Sequence, residues 1–168
     1  AIAKGHGVDR IAGALQEFGI TDYMVEIGGD LVTAGQNPSG EAWRIGVERP
    51  DAGDQKIEEI VDLSGLGMAT SGDYRNYFEA DGVRYSHIID AETGNPITHT
   101  TASVTVLADN AMLADGWATA LLVLGSERGL PIAEKHGLGV LFIDRDPQAQ
   151  DVAFTTVASS AFKKLQAK

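Results

Sequence analysis

At 168 residues, with 43% hydrophobic and 22% charged side chains, the chain has the length and composition of one globular domain able to bury a substantial core. A net charge of −11 argues against nucleic acid or an anionic membrane as partner. A phosphorylated ligand stays accessible if a metal or a helix N-terminus supplies local positive charge. There is no Cys, which removes disulfides, thiolate metal sites and Cys nucleophiles, and no apolar run reaches the length of a membrane span.

In chain order, Val8, Ile11, Ala12, Leu15 and Phe18 recur at helical spacing, and Gly19 closes that helix. Residues 22–35 read as two short strands about a Gly28-Gly29 turn. After a turn at 37–40, residues 42–48 alternate, with Trp43, Ile45 and Val47 on one face. Residues 57–63 read as a further strand. Residues 76–89 form a hairpin about Asp81-Gly82, which suits a type I′ turn. Residues 102–108 are a β-rich strand. The pattern then changes to a buried helix over 110–124, ended by Gly125, and a second helix over 127–136 capped by Gly137. A core strand follows at 139–143, a polar loop at 144–151, an edge strand at 153–157 and a terminal helix or tail at 158–168. Strands and helices segregate more than they alternate, which predicts an α+β fold.

Chemistry concentrates in two places. Residues 69–96 hold hydroxyls, acids, arginines and a histidine around the predicted hairpin. Downstream, Asp115 and Thr119 lie four apart and share one face of the predicted helix. A carboxylate and a hydroxyl are hard oxygen ligands suited to Mg²⁺, and a buried Asp in an apolar helix is costly unless paired or metal-bound. The competing reading has Asp115 capping the helix and Thr119 bonding back to a carbonyl. His87 is a candidate general base near neutral pH, against a hydrogen-bonded structural role. His6, His99 and His136 are isolated, and the four histidines show no metal-ligand spacing. Ser71, Gly72 and Asp73 read as a turn whose N–H groups and hydroxyl suit an anion, or as a plain turn. Glu26, Gly28, Gly29 and Asp30 form EIGGD, where two glycines let a backbone approach a flat ring or simply close a hairpin. Lys4 lies in a Gly-bearing lead into the first helix and could meet a phosphate at that helix N-terminus, or is a surface Lys. There is no P-loop, no G-x-G-x-x-G fingerprint and no G-x-S-x-G elbow.

Six blocks occur together: AIAKGHGVDRIA, VEIGGDL, ATSGDYRNYFE, RYSHIIDAETGNPI, SVTVLA and ADGWATALLVLG. In this order they resemble the ApbE family of FAD:protein FMN transferases, from Ala1 to about Ile143. The resemblance implies a mixed or antiparallel T-fold-type sheet with packed helices. It also implies a Mg²⁺-dependent reaction that splits the FAD pyrophosphate, releases AMP and leaves FMN as a phosphoester on a Thr or Ser. The acceptor it implies is a flavoprotein of a membrane redox complex, carrying a motif like D-G-x-[ST]-G-A-[ST], on the periplasmic side. By resemblance Asp115, Thr119 and the main-chain carbonyl of Ala1 are metal ligands, and Lys4 and Ile89 contact FAD. His87 is the base for the acceptor hydroxyl, and Glu26, Gly28, Gly29, Ser71 and Asp73 stand near the flavin or phosphates. Two other outcomes stay open: a Mg²⁺-dependent FAD pyrophosphatase using water, and a non-catalytic FAD-binding module. Family members are roughly twice this length. The resemblance therefore implies the C-terminal part of such a protein, completed by an N-terminal half or a second chain, with an unpaired sheet edge or apolar face between them.

Overall fold

The computed structural model describes residues 2–51, 56–74, 77–80, 83–149 and 153–166, with backbone alone for 77–80 and 83–84. Helix α1 (Ala3–Glu17) buries Gly5, Val8 and Ala12. The apolar stripe read from the sequence is wider than the face buried here, since Ile11 and Phe18 are exposed. Strands β1 (Tyr23–Ile27) and β2 (Asp30–Ala34) follow as a hairpin, then the pair β3 (Trp43–Glu48) and β4 (Ile57–Leu63). Next come β5 (Gly67–Gly72), the hairpin β6 (Tyr77–Ala80) and β7 (Val83–Ser86), and β8 (Thr101–Ala108). Helix α2 (Ala111–His136), β9 (Gly139–Arg145), β10 (Phe154–Ala158) and helix α3 (Ser160–Gln166) complete the chain.

Six strands form one sheet in the order β1-β2-β5-β8-β9-β10, every neighbouring pair antiparallel. The fold is α+β, as the segregated pattern predicts. Both faces of the central strands are covered. On one face Val104, Val106 and Phe142 pack against Ala114, Ala118, Leu121 and Leu122 of α2. On the other, Leu107, Leu141 and Ile143 meet Val47, Val61 and Leu63 of the β3-β4 hairpin and Phe162 of α3. Trp43 donates its indole N–H to the Ala34 carbonyl at 2.9 Å and the Thr33 hydroxyl reaches the Leu63 carbonyl at 2.7 Å, tying that hairpin to β2. Strand β1 is an outer strand of this sheet and carries exposed Met24, and Phe18 and Ile20 before it are exposed as well.

Two expectations are corrected and a third is met. Ser71 and Gly72 do not form a turn: they end β5, a central strand paired with β8. Small residues hid it, because β-branched and aromatic side chains are the usual strand signal. The two expected helices over 110–136 are present within α2: Gly125 (φ 74°, ψ 171°) breaks the helical backbone between them, where the sequence places the stop, and Gly137 is the C-cap. Asp144 opens no loop. It ends inside β9, buried, and its carboxylate accepts the hydroxyls of Thr101 at 2.5 Å and Ser126 at 2.6 Å. The Asp81-Gly82 turn lies outside the described residues.

The start of α2 is fixed by unusually close packing. A Cβ on Gly5 would lie 2.3 Å from the Ala111 carbonyl oxygen, and one on Gly67 would lie 2.3 Å from the Ala111 nitrogen. Helix α1 and strand β5 therefore grip the same residue from two sides. Asp9 of α1 accepts the N–H groups of Ala111 and Met112 at 2.8 and 2.9 Å, and Asn110 accepts that of Leu113 at 2.8 Å. Three orphan donors of the helix end are thus satisfied, two of them from another helix.

Overpacking at these contacts sets the first expectation. Gly5→Ala or Gly67→Ala lowers unfolding free energy by about 1–3 kcal/mol or more in urea titrations. Gly13→Ala, in the same helix with open space at its Cβ, raises stability by about 0.5–1 kcal/mol. Equal effects at Gly5 and Gly13 would refute the close approach. Asp9→Ala costs about 0.5–2 kcal/mol as a lost helix cap.

Candidate functional site

The clamp on α2 brings the chemistry of three elements together. Asp115 lies one turn into α2 and is 4% exposed, with its Oδ2 accepting the Gly5 N–H at 3.3 Å. It is not the helix cap, since Asn110 fills that position. Thr119, one turn on, donates its hydroxyl to the Asp115 carbonyl at 3.1 Å, the back-bond that the competing reading foresaw. Its oxygen also lies 3.3 Å from the Ser71 hydroxyl on β5. A hydroxyl keeps acceptor capacity while donating, so the back-bond does not remove Thr119 as an oxygen ligand. Asp115, Thr119 and Ser71 thus sit where α2 crosses β5.

Lys4 and Asp30 adjoin this cluster. Lys4 Nζ donates to the Gly28 carbonyl at 2.9 Å and to Asp30 Oδ1 at 3.1 Å. Asp30 opens β2 and is 1% exposed, and its Oδ2 is enclosed with no hydrogen-bond partner among the described residues. Burial pushes the Asp30 carboxyl up to about 6, with the neighbouring Asp115 carboxylate adding to the push against the pull of the Lys4 ammonium. Asp30 was not singled out from the sequence as a site residue. Its signal was an Asp directly before the apolar run Leu31-Val32, masked by the turn character of Gly28-Gly29.

That turn is a tight one, with Gly28 at φ 56° and Gly29 at φ 91°. Glu26 accepts the Gly29 N–H at 2.5 Å and so braces it. A cavity of about 660 Å³ opens beside it, lined by Lys4, Glu26, Gly28 and Gly29, by Ile45, Gly46 and Glu48 of β3, and by Leu31, Met68, Thr70, Gly72 and Tyr74. The alternation of β5 places Thr70 and Gly72 on the cavity side and Ser71 toward α2. Lys4 belongs to both the cavity wall and the carboxylate corner.

The remaining candidates lie apart. Asp73 has its N–H on the Ala102 carbonyl at 3.0 Å and its carboxylate in an ion pair with Arg145. His87 and Ile89 are exposed on the segment after β7, and Ile89 bridges to Pro96. Asp90 organises the turn that follows. The Glu92 N–H, with that of Thr93 and the Arg128 guanidinium, holds its carboxyl below the usual range. Ala1 lies outside the described residues.

The donor set suits a hard divalent cation. Among the described residues no three His, Asp or Glu side chains gather, so a cation here takes a mixed set of carboxylate, hydroxyl and other oxygens. The enclosed, unpartnered Asp30 oxygen beside Asp115 is the observation that favours one, because buried polar atoms are normally paired. Mg²⁺ accepts such sets and leaves positions for water and phosphate.

The backbone of the turn gives a further expectation. Gly29→Val, forced to φ 91°, lowers stability by about 1–2 kcal/mol, whereas Gly28→Asn, a type I′ residue, leaves the thermal melt nearly unchanged. Equal losses at both positions would contradict this turn geometry.

Comparison with known proteins bears on the same elements. The model of the ApbE family matches residues 1–142. A FAD:protein FMN transferase of Vibrio cholerae is 50% identical over 167 residues, 99% of this chain and 49% of the relative. One from Haemophilus influenzae is 48% identical over 98% of this chain and 47% of its own. Among solved structures, the apo flavinyl transferase ApbE of Pseudomonas stutzeri superposes with a TM-score of 0.85 at 44% identity, covering 98% of this chain and 49% of that one. The ApbE of Thermotoga maritima does so at 0.81 and 32% identity, covering 99% and 52%. The chain spans about half the length of the curated relatives it matches.

Proposed function

We propose that this chain, which belongs to the ApbE family, carries the cation-binding and part of the flavin-binding wall of a FAD:protein FMN transferase. The relatives' names supply the reaction class, and one observation from the structure supports it most directly. The carboxylate-hydroxyl corner of Asp115, Thr119 and Ser71 adjoins, through Lys4, a cavity floored by glycine backbone. A pyrophosphate ester needs these neighbours: oxygen ligands for a divalent cation, a fixed ammonium, and a flat surface for a ring system.

In this reading FAD is the substrate, and Mg²⁺, when bound, would supply neutralisation of phosphate charge. Asp115, Thr119 and the Ala1 carbonyl would hold it. Lys4, held by Gly28 and Asp30, presents a positive charge at the mouth of the cavity. Glu26, Gly28 and Gly29 form the turn against which the cofactor lies, and Ile89 offers an exposed apolar contact. His87 takes the proton of the acceptor Thr or Ser hydroxyl as that oxygen attacks the FMN phosphorus and AMP departs. The acceptor is a flavoprotein of a membrane redox complex on the periplasmic side. Asp73 acts through Arg145, which shapes the end of β5, and not by touching the phosphates.

The test is incubation of the full-length protein with FAD, Mg²⁺ and a protein bearing D-G-x-[ST]-G-A-[ST]. A flavin-fluorescent acceptor band with release of AMP is expected. Free FMN and AMP without a labelled band would instead indicate a pyrophosphatase, and neither product a FAD-binding module. Asp115→Ala is expected to slow transfer by about 10²–10³-fold, equivalent to a few kcal/mol of lost metal stabilisation. His87→Ala is expected to slow it by about 10²–10⁴-fold, the usual range for a general base. Full activity in either variant removes that residue's assigned role.

A further inference from the structure

We propose that Asp30 is a further oxygen ligand of the cation, through its enclosed Oδ2, while its Oδ1 pins Lys4. The inference rests on the reading of Asp115 and Thr119 as metal ligands and extends it to a residue on a different element. Asp30 is the more deeply buried of the two carboxylates, at 1% exposure against 4%. Its two oxygens have different fates. Oδ1 accepts the Lys4 ammonium, which the Gly28 carbonyl also holds. Oδ2 is closed off from solvent, and among the described residues no hydrogen-bond donor reaches it.

A buried carboxylate oxygen without a partner is strongly disfavoured, and its presence calls for a proton or a cation. Asp115 stands close enough to raise the affinity of Asp30 for positive charge. The Lys4 ammonium is directed at Oδ1 and at the Gly28 carbonyl and leaves Oδ2 unengaged. Oxygen donors without thiolate favour Mg²⁺ or Mn²⁺ over softer metals. A cation between Oδ2 and Asp115 would also link the metal to the flavin cavity through one side chain. The same carboxylate would bind the ion and orient the ammonium on the cavity wall.

Calorimetric titration of the protein with Mn²⁺ alone tests this in wild type and in Asp30→Asn, Asp115→Asn and Lys4→Met. Both Asp variants are expected to bind Mn²⁺ about 10–100-fold more weakly. Lys4→Met, which removes a competing positive charge, is expected to bind as tightly or more tightly. Asp30→Asn is also expected to melt no lower than wild type without metal, since it removes a buried charge and keeps the side chain's shape. If Asp115→Asn weakens binding and Asp30→Asn does not, Asp30 only positions Lys4, or shares a proton with Asp115, and the inference fails while the site reading stands. If neither variant changes Mn²⁺ affinity, the site reading fails with it. Should Asp30→Asn not fold, Mg²⁺ titration of wild type followed by side-chain carboxyl ¹³C shifts decides. Asp30 and Asp115 moving with one midpoint supports the proposal, and a static Asp30 signal overturns it.

Discussion

The grip on Ala111 governs much of this structure. Gly5 from α1 and Gly67 from β5 approach the same residue so closely that neither has room for a methyl group. Asp9 then joins α1 to α2 by accepting two of the helix's free N–H groups. A helix start held by steric contact on two sides and by hydrogen bonds along its axis has little freedom to slide or rotate. That rigidity fixes the direction in which Asp115 and Thr119 emerge. It also explains why a sheet strand made of Gly, Met, Ala, Thr and Ser persists where side-chain propensity alone would not favour one. Close backbone approach matters more there than a large side chain.

The clamp has a chemical consequence. With α1 locked to α2, Lys4 at the start of α1 lies beside Asp30 at the start of β2, and the Gly5 N–H reaches Asp115. Residues far apart in the chain thereby form one charged corner, next to a cavity whose floor is the Gly28-Gly29 turn. Burial and a like-charged neighbour both work against ionising Asp30, and Lys4 opposes them. Stability alone would not select such an arrangement, since replacing a buried carboxylate by an apolar residue avoids its desolvation. A ligand carrying positive charge gives the arrangement a purpose, which is the pattern expected where function overrides local stability.

Legibility from sequence divides along physical lines. Periodic and punctuated segments were readable: the alternation of Trp43, Ile45 and Val47, the two-glycine turn, the apolar helix with its stop at Gly125. Strand β5 was not, because Thr70 is its one β-branched residue among mostly small ones, and β9 ran past its predicted end because Asp144 is buried by Thr101 and Ser126. Family resemblance supplied what spacing could not for Asp115 and Thr119, whose four-residue separation is common by chance. Asp73 shows the opposite limit. Its sequence neighbours suggested an anion-binding turn, whereas its carboxylate pairs with Arg145, a partner 72 residues away.

By itself the sequence determined the α+β class, most of the element order, the family and the residue types able to hold a hard cation and a flavin. These follow from local periodicity, turn chemistry and ordered motifs, which need no knowledge of distant contacts. The tertiary structure alone decided that Asp30 and Asp115 become neighbours, that Lys4 serves both the carboxylate corner and the cavity, and that Ser71 points to Thr119 while Gly72 lines the cavity. The reason is that each of these depends on how closely two backbones approach. That distance is set by glycines on elements remote in sequence, gripping one alanine at the start of α2.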